Sequence, residues 1–427
     1  MDFEIVHAKK RLTVCFLFFL GTAAYLALTA SQFLAEQFSQ VPRVSYLRKA
    51  IKLDPSNAEY RDNMGRFELL VQQSPANALP WLQSATALNP NRSAYWLDRA
   101  IAEHLIGDFD NERNSLDKVS ATNPRSSDVS WQVANLYLSQ RALEAALREY
   151  QKILESDSAL TPQALQICWR IRPDINFLIE NVVPATADEQ FLSFLVSSNE
   201  PDAAANLWER IVSLQQPVER RYLFDYLRFL FNHRDPVQAS RVWRQAANLS
   251  DLAAYQPTEE NLLVNGDFSH AILNNGFDWI YQKSSAVSLA IDPAESHSGS
   301  RSLRIVFQGP GIEDAGIRQL VSVDLNTEYV FSAYYKAAEM DGAGAPEFAI
   351  QDVYSGATLL MSDGLRDSGS WKQINGSFTT GPNAHLLVLR IARVPADRPI
   401  RGKLWIAGLK LVAADHVASV VSAKGHP

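Results

Sequence analysis

Hydrophobic and polar positions along the chain fall into three successive patterns, and each predicts a different kind of element. The first is an unbroken apolar run, Leu12 to Ala30 (LTVCFLFFLGTAAYLALTA), 19 positions without a charge. As a helix at about 1.5 Å per residue it is roughly 28 Å long, close to the hydrocarbon thickness of a bilayer. Lys9, Lys10 and Arg11 precede it, and no Lys or Arg follows until Arg43. This asymmetry predicts a single-pass signal anchor over residues 12–34 in the inner (cytoplasmic) membrane. Residues 1–11 are then cytoplasmic and the bulk of the chain periplasmic or extracellular. Removal as a signal peptide is the competing reading. Against it, Leu28-Thr29-Ala30 places Leu where a peptidase wants a small residue, and the run is long for a signal core. Cys15 opens the apolar run and follows Val14, so it reads as an apolar cysteine and not as a lipidation site.

The second pattern, over residues 43–250, is rich in Ala, Leu, Arg and Gln and predicts helices. Three strings recur: Ala50-Ile-Lys-Leu53-Asp-Pro55, Ala85-Thr-Ala-Leu88-Asn-Pro90 and Val119-Ser-Ala-Thr-Asn-Pro124, their prolines 35 and 34 residues apart. Proline ends a helix because it has no N–H for the ladder. Ala-x3-large-x2-apolar strings repeat as Ala78/Leu82/Ala85, Ala146/Tyr150/Ile153, Ala204/Trp208/Ile211 and Ala239/Trp243/Ala246. Helix A positions are represented by Met64-Gly65, by Trp96 with Ala100, and by Val133-Ala134 with Tyr137. This period and these positions resemble the tetratricopeptide repeat (TPR) family. The resemblance implies a solenoid that gathers partner proteins on variable surface positions. Trp208, Trp243 and Tyr150 are then inter-helix core. Ala146 and Ala204 are 58 residues apart, so residues 156–200 must depart from the repeat.

The third pattern starts after a linker at 251–260. Short alternating runs separated by Gly, Ser, Asn and Asp predict strands at 300–307, 328–336, 347–353, 371–379, 385–390 and 403–411, an antiparallel sandwich over 261–413. Residues 414–427 read as a loosely ordered tail. The expected fold is therefore multidomain: an N-terminal transmembrane helix, an all-α helical-repeat solenoid and an all-β jelly-roll sandwich.

Within the sandwich, Asn261-Leu-Leu-Val-Asn265-Gly266-Asp267-Phe268 is followed by Trp279 and by Ser296-His-Ser298-Gly299-Ser300-Arg301-Ser302-Leu303-Arg304-Ile305. Then come Gln319, Leu325-Asn-Thr-Glu-Tyr329-Val-Phe-Ser-Ala-Tyr-Tyr-Lys336, Trp371 with Phe378-Thr379, and Leu404-Trp-Ile-Ala-Gly-Leu-Lys-Leu411. The order resembles the CenC-type carbohydrate-binding modules, within the galactose-binding-like jelly rolls. That family often holds a structural calcium through an acidic residue after the Asn-Gly-x-Phe string and an Asp-Asp pair on the last strand. Here Ser269 and Ala407-Gly408 stand in those places, leaving Asp267 as a weak calcium candidate and otherwise no cofactor. Sugar recognition needs aromatic faces flanked by hydrogen-bonding groups in a cleft. Alternation along 328–336 assigns Tyr329, Phe331, Ala333 and Tyr335 to the core and turns Tyr334 and Lys336 the other way. The candidate sugar-binding residues are Trp279, Tyr281, Tyr334, Lys336, Gln351 and Arg390, the first three as stacking faces. Trp371 and Trp405 are expected in the core.

Composition changes this picture little. Of 427 residues, 47% are apolar and 20% charged, and the formal charge of -7 argues against a nucleic-acid partner. Two cysteines, Cys15 and Cys168, exclude a disulfide framework. The eight histidines show no metal-ligand spacing, and there is no nucleophile elbow. Gly309-Pro-Gly311 reads as a turn between strands, and Glu313-Asp314 as a solvated loop rather than an acid/base pair. The expected function is a membrane-anchored, non-catalytic envelope scaffold. It would bind envelope proteins through its repeats and a glycan through its sandwich, in extracellular polysaccharide assembly or export. A purely structural module without sugar binding is the alternative, and a divergent glycan-active enzyme the third class.

Overall fold

The computed structural model describes residues 8–297 and 301–416. Residues 1–7 of the expected cytoplasmic segment, Ser298–Ser300 of the sandwich motif and residues 417–427 of the expected tail lie outside the described residues. Packing divides the chain into two units, Met1–Ala187 and Asp188–Pro427.

The first unit is helical: α1 (Ala8–Ser39), α2 (Val44–Leu53), α3 (Ala58–Arg66), α4 (Pro75–Leu88), α5 (Ser93–Ile106), α6 (Phe109–Thr122), α7 (Ser127–Ser139), α8 (Leu143–Ser156), α9 (Thr161–Ile171) and α10 (Ile175–Asn181). Successive helices pack as pairs, α1 on α2, α3 on α4, α5 on α6 and α7 on α8. The recurrent Asp-Pro and Asn-Pro strings fall immediately after α2, α4 and α6, where the 34-residue period puts a stop. Small residues set the spacing. Ala78, Ala85, Ala100 and Ala146 are fully buried, and a Cβ on Gly65 would lie 2.5 Å from Leu82 on the facing helix. Tyr150 is core, as its position in the repeat predicts. The off-period stretch 156–200 is helical too, but its helices are short and a 3-10 turn at Ala185–Ala187 interrupts them.

α1 runs well past the apolar stretch that predicts it. Leu12, Phe18, Phe19, Leu26 and Phe33 are exposed along it, and Arg11–Ser39 is long and apolar enough to cross a membrane. Its last turn belongs to the solenoid: Ala35 is buried with Ala50 and Tyr60, and Phe38 packs beside them. The Tyr60 hydroxyl donates to Glu36 Oε2 at 3.1 Å, and burial, then Glu36, pushes the phenol up to about 12. The apolar segment and the turn that packs on the first repeat are thus one continuous helix.

The second unit begins with α11 (Asp188–Ser197), α12 (Pro201–Ser213), α13 (Arg220–Asn232) and α14 (Pro236–Leu249) and continues into two five-stranded antiparallel sheets. The strands are β1 (Ile280–Tyr281), β2 (Val287–Asp292), β3 (Ser302–Gly309), β4 (Asp314–Ser322), β5 (Glu328–Gly342), β6 (Pro346–Asp352), β7 (Thr358–Met361), β8 (Lys372–Thr379), β9 (Leu386–Arg393) and β10 (Ile400–Ala413). One sheet has the order β1-β4-β9-β6-β7 and the other β2-β3-β10-β5-β8. Their inner faces interdigitate around Phe268, Trp279, Ile305, Phe331, Phe348, Leu389 and Leu404. Tyr329, Phe331, Ala333 and Tyr335 point inward, as alternation predicts.

Composition changes at 251–260, but packing does not break there. Trp243 Nε1 on α14 donates to Tyr255 O at 2.9 Å, and Tyr255 Oη donates to Ala271 O at 2.8 Å. Phe277 meets Phe231 and Trp243 edge-on, with ring centres 5.3 and 5.8 Å away. Gly276 sits at φ +63, where a Cβ would lie 2.3 Å from the Trp243 ring. Trp208 is inter-helix core as predicted, whereas Trp243 is also the platform for the loop that leads into the sandwich.

Candidate functional site

The six candidate sugar-binding residues are not brought together. Trp279 is corrected outright: its ring is 1% exposed, inclined against Phe268 at 5.3 Å, and Nε1 donates to Asn265 O at 3.1 Å. A ring sealed between two sheets offers no face to a ligand. Tyr334 and Lys336 lie on the outer face of the β2-β3-β10-β5-β8 sheet. Gln351 and Arg390 lie on the outer face of the opposite sheet, with Tyr281 at that sheet's edge.

The Tyr334 face is rich in rings but already occupied. His297 stacks on Tyr334 with ring centres 3.6 Å apart and planes 16° from parallel, and Trp371 meets His297 edge-on at 5.9 Å. Lys336 pairs with Glu295 at 2.9 Å and lies 5.8 Å from the Trp405 ring centre. Trp405 Nε1 donates to Asp292 Oδ2 at 3.0 Å, and this bond holds the Asp292 carboxyl below its ordinary value. Trp371 and Trp405 are therefore not in the inter-sheet core. Trp405 pairs across with Lys336 and Arg304 on the outward register, and Trp371 is half-buried beside His297.

The other face carries an open cleft of about 800 Å³, lined by Asn274, Ile280, Tyr281, Gln282, Lys283, Ser284, Ser285, Asp314, Gly316 and Arg318. Tyr281 is 36% exposed there. Two contacts hold it at the rim. Its N–H donates to Asn274 Oδ1 at 2.7 Å, and Gln282 N donates to Gly316 O at 2.8 Å. Gly316 has φ +77, and a Cβ there would come within 2.9 Å of Gln282 O, so this close edge pairing needs glycine. Asp314 opens β4 and is half-buried, not a solvated loop residue. Its Oδ1 accepts from Gly316 N at 2.7 Å and its Oδ2 from Arg390 Nη1 at 3.2 Å. Gln351 is engaged away from the cleft, donating to Thr358 Oγ1 at 3.0 Å. The residues missed from the sequence, Asn274, Gln282, Lys283, Asp314 and Arg318, come from loops and from β4, whose inward Gln319 and outward Leu320 hide its alternation in the sequence.

Behind the rim, Asp278 is fully buried. Leu273 N donates to its Oδ2 at 2.6 Å, and burial pushes its carboxyl up to about 6 against the pull of that bond. The calcium site implied by the family resemblance does not fit these residues. Asn261 Oδ1 accepts from Leu263 N and Leu411 N, Asn265 Oδ1 from His270 N, and Asp267 Oδ1 from Ser269 N. The oxygens a cation needs are turned to backbone donors. Among the described residues, no group of three or more His, Cys, Asp or Glu side chains could hold a metal ion.

Residues 260–397 match the sequence model of the carbohydrate binding domain family CBM_4_9. No curated protein matches the chain. Similar solved structures include a CBM4 module, at 13% identity over 35% of this chain and 99% of that one, with a TM-score of 0.28. Another is the CBM22-1 xylan-binding domain of Paenibacillus barcinonensis Xyn10C, at 16% identity over 34% and 90%, with a TM-score of 0.25. A third is the protein MamA, at 14% identity over 44% and 94%, with a TM-score of 0.30. The chain carries a region of paired helices followed by a C-terminal β-sandwich with the sequence pattern of a carbohydrate binding domain.

Proposed function

We propose that this protein is a membrane-anchored, non-catalytic scaffold that binds a glycan in the Tyr281 cleft and partner proteins along its repeats. The observation that carries the glycan half is the coincidence of the carbohydrate-binding family pattern with an open cleft. That cleft sets one exposed ring among amide, hydroxyl and guanidinium hydrogen-bonders. The anchor half is supported by α1, whose exposed apolar stretch continues without a break into a last turn that packs on the first repeat. A setting in export or assembly of extracellular polysaccharide joins these halves, because such a polymer must be held close to the membrane it crosses.

The test is affinity electrophoresis of the detergent-solubilised full chain through gels containing neutral or acidic polysaccharides. Retardation by at least one polymer, weakened by Tyr281→Ala, is expected. No retardation by any polymer overturns the glycan half and favours the purely structural reading. That second reading draws on the seating of Phe277 against Phe231 and Trp243, which makes the sandwich a packing partner of the preceding helices.

A further inference from the structure

The cleft holds more positive charge than its own carboxylates neutralise. Arg318 on β4 and Arg390 on β9 are directly opposite each other in the antiparallel pair, so both guanidinium groups leave the same face. Like charges placed opposite each other across strands repel. Arg390 is compensated, by Asp314 at 3.2 Å and Glu313 at 3.8 Å. Even so, its Nε is buried without a hydrogen-bond acceptor. Arg318 is exposed in the cleft and has no carboxylate within ion-pair distance among the described residues, and the same holds for Lys283. Asp314, the acidic residue in the lining, is already spent on Arg390 and Gly316. Two cations without a carboxylate partner therefore line one concavity beside the paired Arg390, and Tyr281, which pairs with Ile317 at the edge of the sheet, lines its rim.

We propose that the glycan of this cleft is acidic, a uronic-acid polysaccharide whose carboxylate bridges Arg318 and Lys283 while a pyranose face rests on Tyr281. A planar carboxylate matches the two parallel N–H donors of a guanidinium, and the bond is strongest where the cation lacks another partner. It also relieves the Arg318–Arg390 repulsion that the fold otherwise tolerates. The inference rests on the glycan reading above and narrows it to a class of sugar.

The test compares polygalacturonate with its carboxyl-reduced form, which keeps the backbone and loses the charge, on the full chain in detergent. Native polymer is expected to bind about tenfold or more tightly, the worth of charge-assisted hydrogen bonds at one carboxylate. Arg318→Gln should erase that preference while leaving the weaker binding of the reduced polymer, and Tyr281→Ala should weaken both. Equal binding of the two forms overturns the acidic assignment and leaves the glycan reading standing. No binding of either overturns the uronate assignment, and the glycan reading falls with it only if no neutral or acidic polymer retards the chain in the gels. Dextran sulfate serves as the polyanion control. If it binds as tightly, with the same dependence on Arg318, the cleft recognises negative charge and not a uronate. Arg318 is exposed on a strand, so an unchanged melting temperature of Arg318→Gln ties any loss to the site.

Discussion

The two outer faces of the sandwich differ in a way that inverts a simple reading of aromatic content. One sheet presents Tyr334, Trp371, Trp405 and His297, and each ring or its polar edge is already engaged by a neighbour of the same chain. The opposite sheet carries Tyr281 only at its edge, yet it holds the open cleft with Arg318 and Lys283, which have no carboxylate partner among the described residues. Abundance of rings therefore does not measure availability for a ligand. A ring binds a sugar only when its face is uncovered and its flanking donors lack internal partners.

Substitutions that separate burial from exposure put this contrast to the test. The largest effect is expected for Trp279→Ala, which empties the centre of the inter-sheet core. A loss of about 3–5 kcal/mol should appear in the denaturant midpoint, and glycan affinity should fall only with the folded fraction. A selective loss of affinity at unchanged stability would return Trp279 to the binding site. Next, Tyr281→Ala should leave the midpoint within about 0.5 kcal/mol while removing roughly 0.5–1.5 kcal/mol of stacking, up to about tenfold in affinity. Tyr334→Ala should do the reverse, lowering the melting temperature through its lost stack with His297 and sparing affinity. If the two tyrosines exchange these behaviours, the ligand sits on the ring-rich face.

A smaller, pH-dependent effect belongs to Asp278. Its folded-state carboxyl titrates near pH 6, above the ordinary carboxylate value of 3.8, so between about pH 4 and pH 6 the native state holds more proton than the unfolded chain. Stability from this group is fully present below about pH 4 and is lost as pH rises through 6. Asp278→Asn should flatten that slope in urea titrations at pH 4, 5, 6 and 7. A slope of the same size in the variant would assign it to other groups. The smallest effect is expected for Lys336→Ala, which removes a partly exposed ion pair with Glu295 worth about 0–1 kcal/mol and leaves glycan binding unchanged.

Legibility of the molecule followed the range of the interactions involved. The solenoid was readable because its prolines, alanines and large residues repeat at one period, so each local signal was repeated several times. The six strands expected from the sequence were readable because alternation over eight or so residues is a statistical pattern. β1 has two residues, and β4 alternates in burial but turns Gln319 inward and Leu320 outward, so its sequence does not show the alternation its structure has. The cleft hung on these two strands, and so the candidate site was scattered: Trp279 went inside, Tyr334 and Lys336 to one face, Gln351 and Arg390 to the other. The junction was hidden for a similar reason. The composition shift at 251–260 marks where helix gives way to strand, whereas Trp243 and Phe277 bind the two parts through contacts 34 residues apart.

By itself the sequence determined the kinds of element and their order: a bilayer-length apolar helix, repeats of helix pairs, then a sandwich with Tyr329, Phe331 and Tyr335 inside. Periodicity alone suffices for that, because burial of one face is a local demand on spacing. Only the tertiary structure decided which side chains are free to act. Whether Tyr334 is covered by His297, or Arg318 stands opposite Arg390 without a carboxylate of its own, depends on strand order and register, and these are set by pairings between distant segments.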